Sequence, residues 1–516
     1  MSAITVKRLV PLLVALTNVA PIQNAWAQKS RSEFRPVVPK AWDDAAMASL
    51  EVPLADPASS PKHVSTEYYY KLPVLEIYKS YPVYAPGHEP PGYWEKLKQQ
   101  EPVIVWDDKG HAPPLKTEAD WIRAGEIVFD AAIGTGGIFS SPRQPLYVRE
   151  PEFYRKTGTP LAGDGTVPFF RYLIVKTGEV QVGILDCAMC HTRLMPDGTV
   201  LRGAQGNFPF DRAMAYNYRY GGGPTDHLPI FERMLYGVPW LRSDSEGAPK
   251  PTSLDEIASA HESIPPGVLA RHRASPRFPV QVPDLIGVRN RHYLDRTGLQ
   301  QHRSIVDLMR YAALNQGGDD LASYNGFIPA GAPEFKQRPQ PEQFFRYSDE
   351  QLYALALYIY SLQPPPNPNI FDATAEHGQK VFQREGCAVC HTPPLYSNNK
   401  LTLAEGFTPP PGADKKYDIM PITVGTDPNL ALKTRRGTGY YKVPSLRGVW
   451  YRSMFGHSGW CATLEDWFDA RRVRDDYVPT GFMPYGAKTY AVKGHPFGLS
   501  LNAEDKEALI AFLKTL

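Results

Sequence analysis

The chain has 516 residues, enough for about two to four domains, each with its own core. Its 56 basic and 54 acidic residues leave a formal charge of +2, which argues against nucleic acid or a strongly charged membrane surface as the partner. The 51 prolines and 41 glycines are spread along the chain, so long ordered loops are expected rather than disorder.

At the N-terminus, Lys7 and Arg8 precede an apolar run from Leu9 to Ala20 and a small-residue site at Ala25 and Ala27. This reads as a signal peptide, residues 1–27, cut near Ala27. The other reading is an uncleaved anchor, for which the run is short of the roughly 18 apolar residues of a span. No later stretch reaches that length, so the mature protein is expected to be periplasmic or otherwise exported, and not an integral membrane protein. Residues 28–115, rich in Pro, Tyr and Trp, match nothing else in the chain and are expected to wrap over the core.

From residue 116 onward the chain repeats itself. "GEIVF" (Gly125 to Phe129) is followed by "FFRYLIVKTGEVQVGIL" (Phe169 to Leu185), which reads as a β-hairpin turning at Thr-Gly, and then by "DCAMCHT". Later, "GQKVF" (Gly378 to Phe382) leads almost directly into "GCAVCHT". In Cys-x-x-Cys-His the thiols lie one helical turn apart, where they can add to the two vinyl groups of a haem, and the adjacent histidine reaches the iron. Two covalent c-type haems are therefore expected, one on Cys187, Cys190 and His191 and one on Cys387, Cys390 and His391. The rival readings are a zinc site, which needs no histidine in each copy, and a disulfide oxidoreductase, which would sit in a βαβ pattern not found here. Cys461, the fifth cysteine, lies among apolar residues and is expected to be buried and inert.

Two further pairs extend the repeat. "VPDLIGVRNRHYLDRTG" (Val282 to Gly298) matches "VPSLRGVWYRSMFGHSG" (Val443 to Gly459), and "SDEQLYALALYIYSL" (Ser348 to Leu362) matches "NAEDKEALIAFLKTL" (Asn502 to Leu516). Each closing segment has a Ser or Asn cap, acids in its first turn and apolar residues at helical spacing. The order is the same in both halves, which makes residues 116–362 and 372–516 tandem repeats joined by a proline-stiffened linker at 363–371. The first repeat carries a large insertion between Phe129 and Cys187, beside its haem motif.

The spacing "GQKVFQREGCAVCH" resembles a class I cytochrome c domain. Two such domains, with the "PxLxxV" segment, "HSG", "ATLEDW" and the ending "GHPFGLSLNAEDKEALIAFLKTL", resemble the bacterial di-haem cytochrome c peroxidase superfamily. That superfamily includes the methylamine dehydrogenase maturation enzyme and the di-haem rubber oxygenases, whose branch the N-terminal extension and wide motif separation resemble more. The resemblance implies a mainly α fold of two tandem class I cytochrome c-like domains, with long irregular loops and a small β-hairpin insertion. It implies an oxidoreductase in which one haem is open and reacts, and the other is six-coordinate and relays electrons from a small cytochrome c or cupredoxin donor.

In the second repeat the candidates for a sixth ligand are His495, Met483 and His457. The rubber-oxygenase branch implies His495; Met483, in "GFMPYG", is the alternative, and His457 matches a histidine that the peroxidases use structurally. The first repeat has Pro341 where His495 would stand, which suggests that the haem on His191 is the open one; Met195, His227, His292 and His302 are the loop residues that could close it. For a distal acid-base group, the family's tryptophan is replaced by Leu294 beside a retained Asp295, and its glutamate falls near "NQGG" (Asn315 to Gly318). His302, Gln316 and Asp319 are the substitutes, and Tyr293 the candidate aromatic between the haems. The resemblance also implies a calcium ion between the domains, at "TGYYKVPSLRG" (Thr438 to Gly448). Three activities stay open: peroxidase-type activation of hydrogen peroxide, cleavage of an apolar substrate with O2, and electron carriage without catalysis.

Overall fold

The computed structural model describes residues 34–45, 65–132, 147–222, 253–270, 274–321 and 345–516, with Thr225, Asp226, Leu228, Glu232 and Tyr236 between them. The expected signal peptide and His227 lie outside the described residues.

The helices that frame the site are α1 (Glu118–Phe129), α2 (Cys187–Cys190), α3 (Phe210–Tyr220), α4 (Leu254–Glu262), α5 (Ile305–Leu321), α6 (Asp349–Ser361), α7 (Ala373–Arg384) and α8 (Ala503–Lys514). Their starts are written locally. Thr117 and Asp120 form a reciprocal cap on α1, Ser348 and Gln351 do the same for α6, and Asp372 and Asn502 accept from backbone amides three residues on in α7 and α8.

The two halves use one helix pairing. α1 crosses α6 in the first, and α7 crosses α8 in the second. At each crossing a glycine lets the backbones meet: a Cβ on Gly125 would lie 2.0 Å from the carbonyl oxygen of Ala354, and one on Gly378 would lie 1.8 Å from that of Ala508. These glycines are the first residues of "GEIVF" and "GQKVF", so the repeat marks a packing requirement.

Strands are more numerous than the one hairpin expected, and the fold is mixed α/β with small sheets. The hairpin is present as β2 (Thr166–Lys176) and β3 (Glu179–Gly183), turning at Thr177 and Gly178, but a third strand, β1 (Ser80–Tyr84), comes from the N-terminal extension and pairs antiparallel with β2. A mixed sheet of β4 (Leu401–Leu403), β5 (Ile419–Thr423) and β6 (Tyr440–Lys442) stands in the second half. Local pattern reading missed these strands because each is short and owes its stability to a distant partner.

The insertion returns the chain to its starting point. Asp130, just past α1, pairs with Arg171 on β2 and with Arg202 beyond the first motif. As a result α2 sits between two cores, with Met189 and Cys190 in the one built on the insertion and Cys187 and Ala188 beside Val128, Phe129 and α6 in the other. The insertion holds a buried ionic group of its own: His261 on α4 donates from Nδ1 to Asp211 at 2.7 Å and from Nε2 to Glu232 at 3.1 Å, and all three are almost fully enclosed.

Candidate haem sites

Each Cys-x-x-Cys-His forms a single tight turn. In α2, Asp186 caps the turn by accepting from Met189 N, and His191 N donates to Cys187 O at 2.9 Å. In the second motif His391 N donates to Cys387 O at 2.8 Å. In the second motif the turn brings Cys387, Cys390 and His391 to the wall of one cavity.

Both histidines are oriented from behind. His191 Nδ1 donates to Pro283 O at 3.0 Å, and His391 Nδ1 donates to Tyr396 O at 3.1 Å, with the Pro444 backbone also close enough to stabilise its proton. A carbonyl only accepts, so in each ring Nδ1 carries the hydrogen and Nε2 is left with its lone pair, the form that ligates a metal. Pro283 and Pro444 are matching residues of the repeated Val-Pro segments. Burial lowers His191 to about 4 and lowers His391 in the same direction, so both rings are neutral near neutral pH.

The second motif faces a cavity of about 220 Å³ walled by Phe382, Leu446, Val449, Leu464, Leu509 and Leu513. His495 lines the same cavity, its ring centroid 6.4 Å from that of His391. Two imidazoles binding one metal at about 2 Å each, plus the distance from each nitrogen to its ring centre, give about the same spacing. His495 is neutral too: burial, then the nearby His391 and Arg472, lower it to about 3. An apolar cavity, two thiols in one turn and two facing neutral imidazoles fit a haem, which Cys387 and Cys390 would hold covalently and His391 and His495 would ligate.

His495 is held by its backbone. Its N–H donates to Val424 O at 2.6 Å, its φ is 44°, and its carbonyl accepts from Arg472 at 2.8 Å. Arg472, itself fully buried, also donates to Trp467 O, Val492 O and Gly494 O. Met483 is not among the residues lining this cavity. His457 lines it, stacked on Tyr441 at 4.0 Å between centroids and lowered to about 3 by burial and Arg296.

The other residues singled out from the sequence are placed as follows. Both ring nitrogens of His302 are engaged, Nδ1 donating to Arg291 O at 2.8 Å and Nε2 accepting from Tyr360 OH at 2.6 Å. His292 is on the surface near Asp418, and Met195 packs in a cluster with Ile286 and Tyr451. None of these three is paired with His191 as His495 is with His391. Gln316 and Asp319 belong to α5, but their side chains lie outside the described residues. Asp295 is committed to an ion pair with Arg436 and accepts from Tyr311 OH at 2.9 Å. Cys461 is fully buried, and burial pushes its thiol up to about 12.

Of residues 438–448, where the resemblance implies a calcium ion held by carbonyls and a threonine, Thr438 Oγ1 donates to Thr297 O at 2.6 Å. Lys442 sends its ammonium into this region, to Tyr293 O at 3.3 Å, with Arg291 and Arg296 close by. Among the described residues no group of three His, Cys, Asp or Glu side chains could hold a metal ion.

No family model and no curated protein matches the chain. The solved structures that are similar to it include two at low identity. One is hydrazine synthase from Kuenenia stuttgartiensis, pressurised with xenon, at 16% identity and a TM-score of 0.29 over 57% of this chain and 89% of that one. The other is a MauG-like protein associated with microbial copper homeostasis, at 15% identity and a TM-score of 0.28 over 46% of this chain and 75% of that one. Likenesses this distant decide neither fold nor activity. No helix among the described residues is long and apolar enough to cross a membrane.

Proposed function

We propose that the chain is an exported di-haem c-type oxidoreductase of the di-haem cytochrome c peroxidase type, in which the haem on His191 reacts and the haem on His391 relays electrons. The observation that carries this reading is the difference between the two motifs. Both histidines are oriented by main-chain carbonyls, yet only His391, among the described residues, has a second histidine facing it. Haem held at Cys187, Cys190 and His191 and at Cys387, Cys390 and His391 would supply the one-electron redox chemistry that reduction of an oxidant such as hydrogen peroxide requires.

The chain's own residues do the rest. His191 and His391 are held neutral and turned by main-chain carbonyls, and His495 faces His391, where it would close a bound haem to small molecules. The insertion packs the Met189 and Cys190 side of α2 into an apolar core, which would help shape a pocket beside the first motif. The donor is proposed to be a small cytochrome c or cupredoxin. Use of O2 on an apolar substrate is the second reading, favoured by the replacement of the family's glutamate with "NQGG" at Asn315 to Gly318.

The test is low-temperature EPR of the ferric holoprotein before and after one equivalent of hydrogen peroxide. One high-spin signal that disappears with peroxide, beside one low-spin signal that His495→Ala abolishes, is the expected result. Two unchanged low-spin signals, in the resting and the half-reduced protein, would leave an electron carrier instead. A high-spin signal indifferent to peroxide but lost with O2 on reduction would select the oxygenase.

A further inference from the structure

Between the two halves lies a cavity of about 750 Å³ with an unbalanced wall. Among the described residues lining it, Arg289, Arg291, Arg296, Lys442, Arg447 and Arg452 are cationic, and Asp284 is the one acidic side chain. Asp284 is already engaged, accepting from Ile286 N at 3.0 Å and Tyr451 OH at 2.8 Å. Arg447 donates to Pro394 O, Arg289 stands over the Tyr360 ring, and three of the others are met by main-chain carbonyls. Arg291 donates to Asp284 O and Ile286 O, Arg452 to Gly448 O and Ser445 O, and Lys442 to Tyr293 O; Arg296 Nε is buried without a partner.

Carbonyls satisfy hydrogen bonds but do not cancel charge, and several cations set against the single carboxylate of Asp284 are costly. The groups register this: burial and then Arg291 and Arg296 hold Lys442 well below its ordinary value, and burial with Arg452 and Arg291 lowers Arg296 to about 9. Such a wall is arranged for an anion.

Three of these residues, Arg296, Lys442 and Arg452, also line the cavity that holds His391 and His495. The cationic wall is therefore the polar end of the apolar haem cavity. A haem is an apolar disc with two carboxylates on one edge, so the disc and its edge match the two ends of this site. We propose that Arg296, Lys442 and Arg452 bind the propionate carboxylates of the haem attached at Cys387 and Cys390, and so turn that edge towards the first half of the molecule. This rests on the reading of the second motif as a haem site closed by His495.

The test uses the full holoprotein and the variants Arg296→Gln, Lys442→Met and Arg452→Gln, with the midpoint potential of the low-spin haem followed from about pH 5 to pH 9. Losing a cation beside the carboxylates favours the ferric state, so each variant is expected to move the reduction equilibrium about tenfold towards oxidised, 59 mV for one electron. The freed carboxylate then titrates nearer neutrality, and the potential of the variants falls with pH more than that of the parent. Unchanged potentials and pH profiles, with the low-spin signal intact, overturn the propionate assignment and leave the proposed function standing. Absence of a low-spin, histidine-closed haem from the parent protein overturns the functional reading instead. Where a variant does not assemble, the parent holoprotein is titrated with succinate. No saturable binding is expected, because the cations are already occupied; saturable binding that shifts the potential would mean that they serve an external anion.

Discussion

His495 adopts a backbone conformation that costs a non-glycine residue about 1–2 kcal/mol, and its neighbours hold it there. The chief holder is Arg472, whose guanidinium donates to four carbonyls on the segments before and around His495. Arg472→Met leaves those carbonyls without partners in a buried place and is expected to destabilise the protein by at least about 3 kcal/mol. It should also weaken the low-spin signal that His495→Ala removes; Arg472→Lys, which keeps one charge and some donors, restores part of both. Denaturant melts and EPR on the same samples check this, and a melt shift with an unaltered low-spin signal would show that Arg472 does not position His495.

A second single-residue expectation concerns His261. Burial alone would lower its pKa, but the carboxylates of Glu232 and Asp211 outweigh burial and push it up to about 10, and Tyr218 OH also donates to Glu232. The folded value lies above the unfolded value of about 6.5, so the protonated ring stabilises the fold fully below pH 6.5 and that stabilisation is lost as pH rises towards 10. His261→Gln leaves two buried carboxylates without their cation and is expected to cost about 3–5 kcal/mol at neutral pH. The difference in melting temperature between parent and variant should narrow as the pH is raised from 6 to 10.

At the scale of elements, the crossing of α7 with α8 makes a sharp expectation. By helix propensity alone Gly378→Ala would stabilise α7 by about 0.5–1 kcal/mol. The Cβ would, however, meet the Ala508 carbonyl carbon at 2.4 Å as well as its oxygen, so the helices must separate and the change is expected to destabilise by about 1–3 kcal/mol or more. The sign of the shift in the denaturant midpoint decides between the two. Gly125→Ala should behave likewise at the crossing of α1 with α6, where the same repeat position meets Ala354. The opening helices of the repeat, the closing helices α6 and α8 with their Ser348 and Asn502 caps, and the hairpin turn at Thr177 and Gly178 were legible in the sequence because each signal spans a few residues. The third strand on that hairpin was not, because β1 pairs with β2 across a long stretch of chain and its five residues carry no pattern that names a partner.

At the scale of the whole molecule, the two halves meet through the repeated Val-Pro segments. Gln281 N donates to His457 O at 2.9 Å, Tyr451 OH reaches Asp284, and Thr438 Oγ1 donates to Thr297 O at 2.6 Å. A buried polar seam of this kind fixes one relative placement, since any slip leaves donors and acceptors unmatched. The same segments supply Pro283 and Pro444 behind the two motif histidines and the cations of the shared cavity, so the seam and both candidate haem sites share one set of residues. By itself the sequence determined the two Cys-x-x-Cys-His turns, the order of the repeat and the starts of α6 and α8, because local hydrogen bonds, capping and helical period act within a turn or two of chain. Only the tertiary structure decided that His495 faces His391 while Met483 does not line that cavity, that His302 is bound at both nitrogens, and that three cations stand at the mouth of the second site. Each of those depends on where long loops bring residues far apart in the chain, and no local pattern encodes the path of a loop.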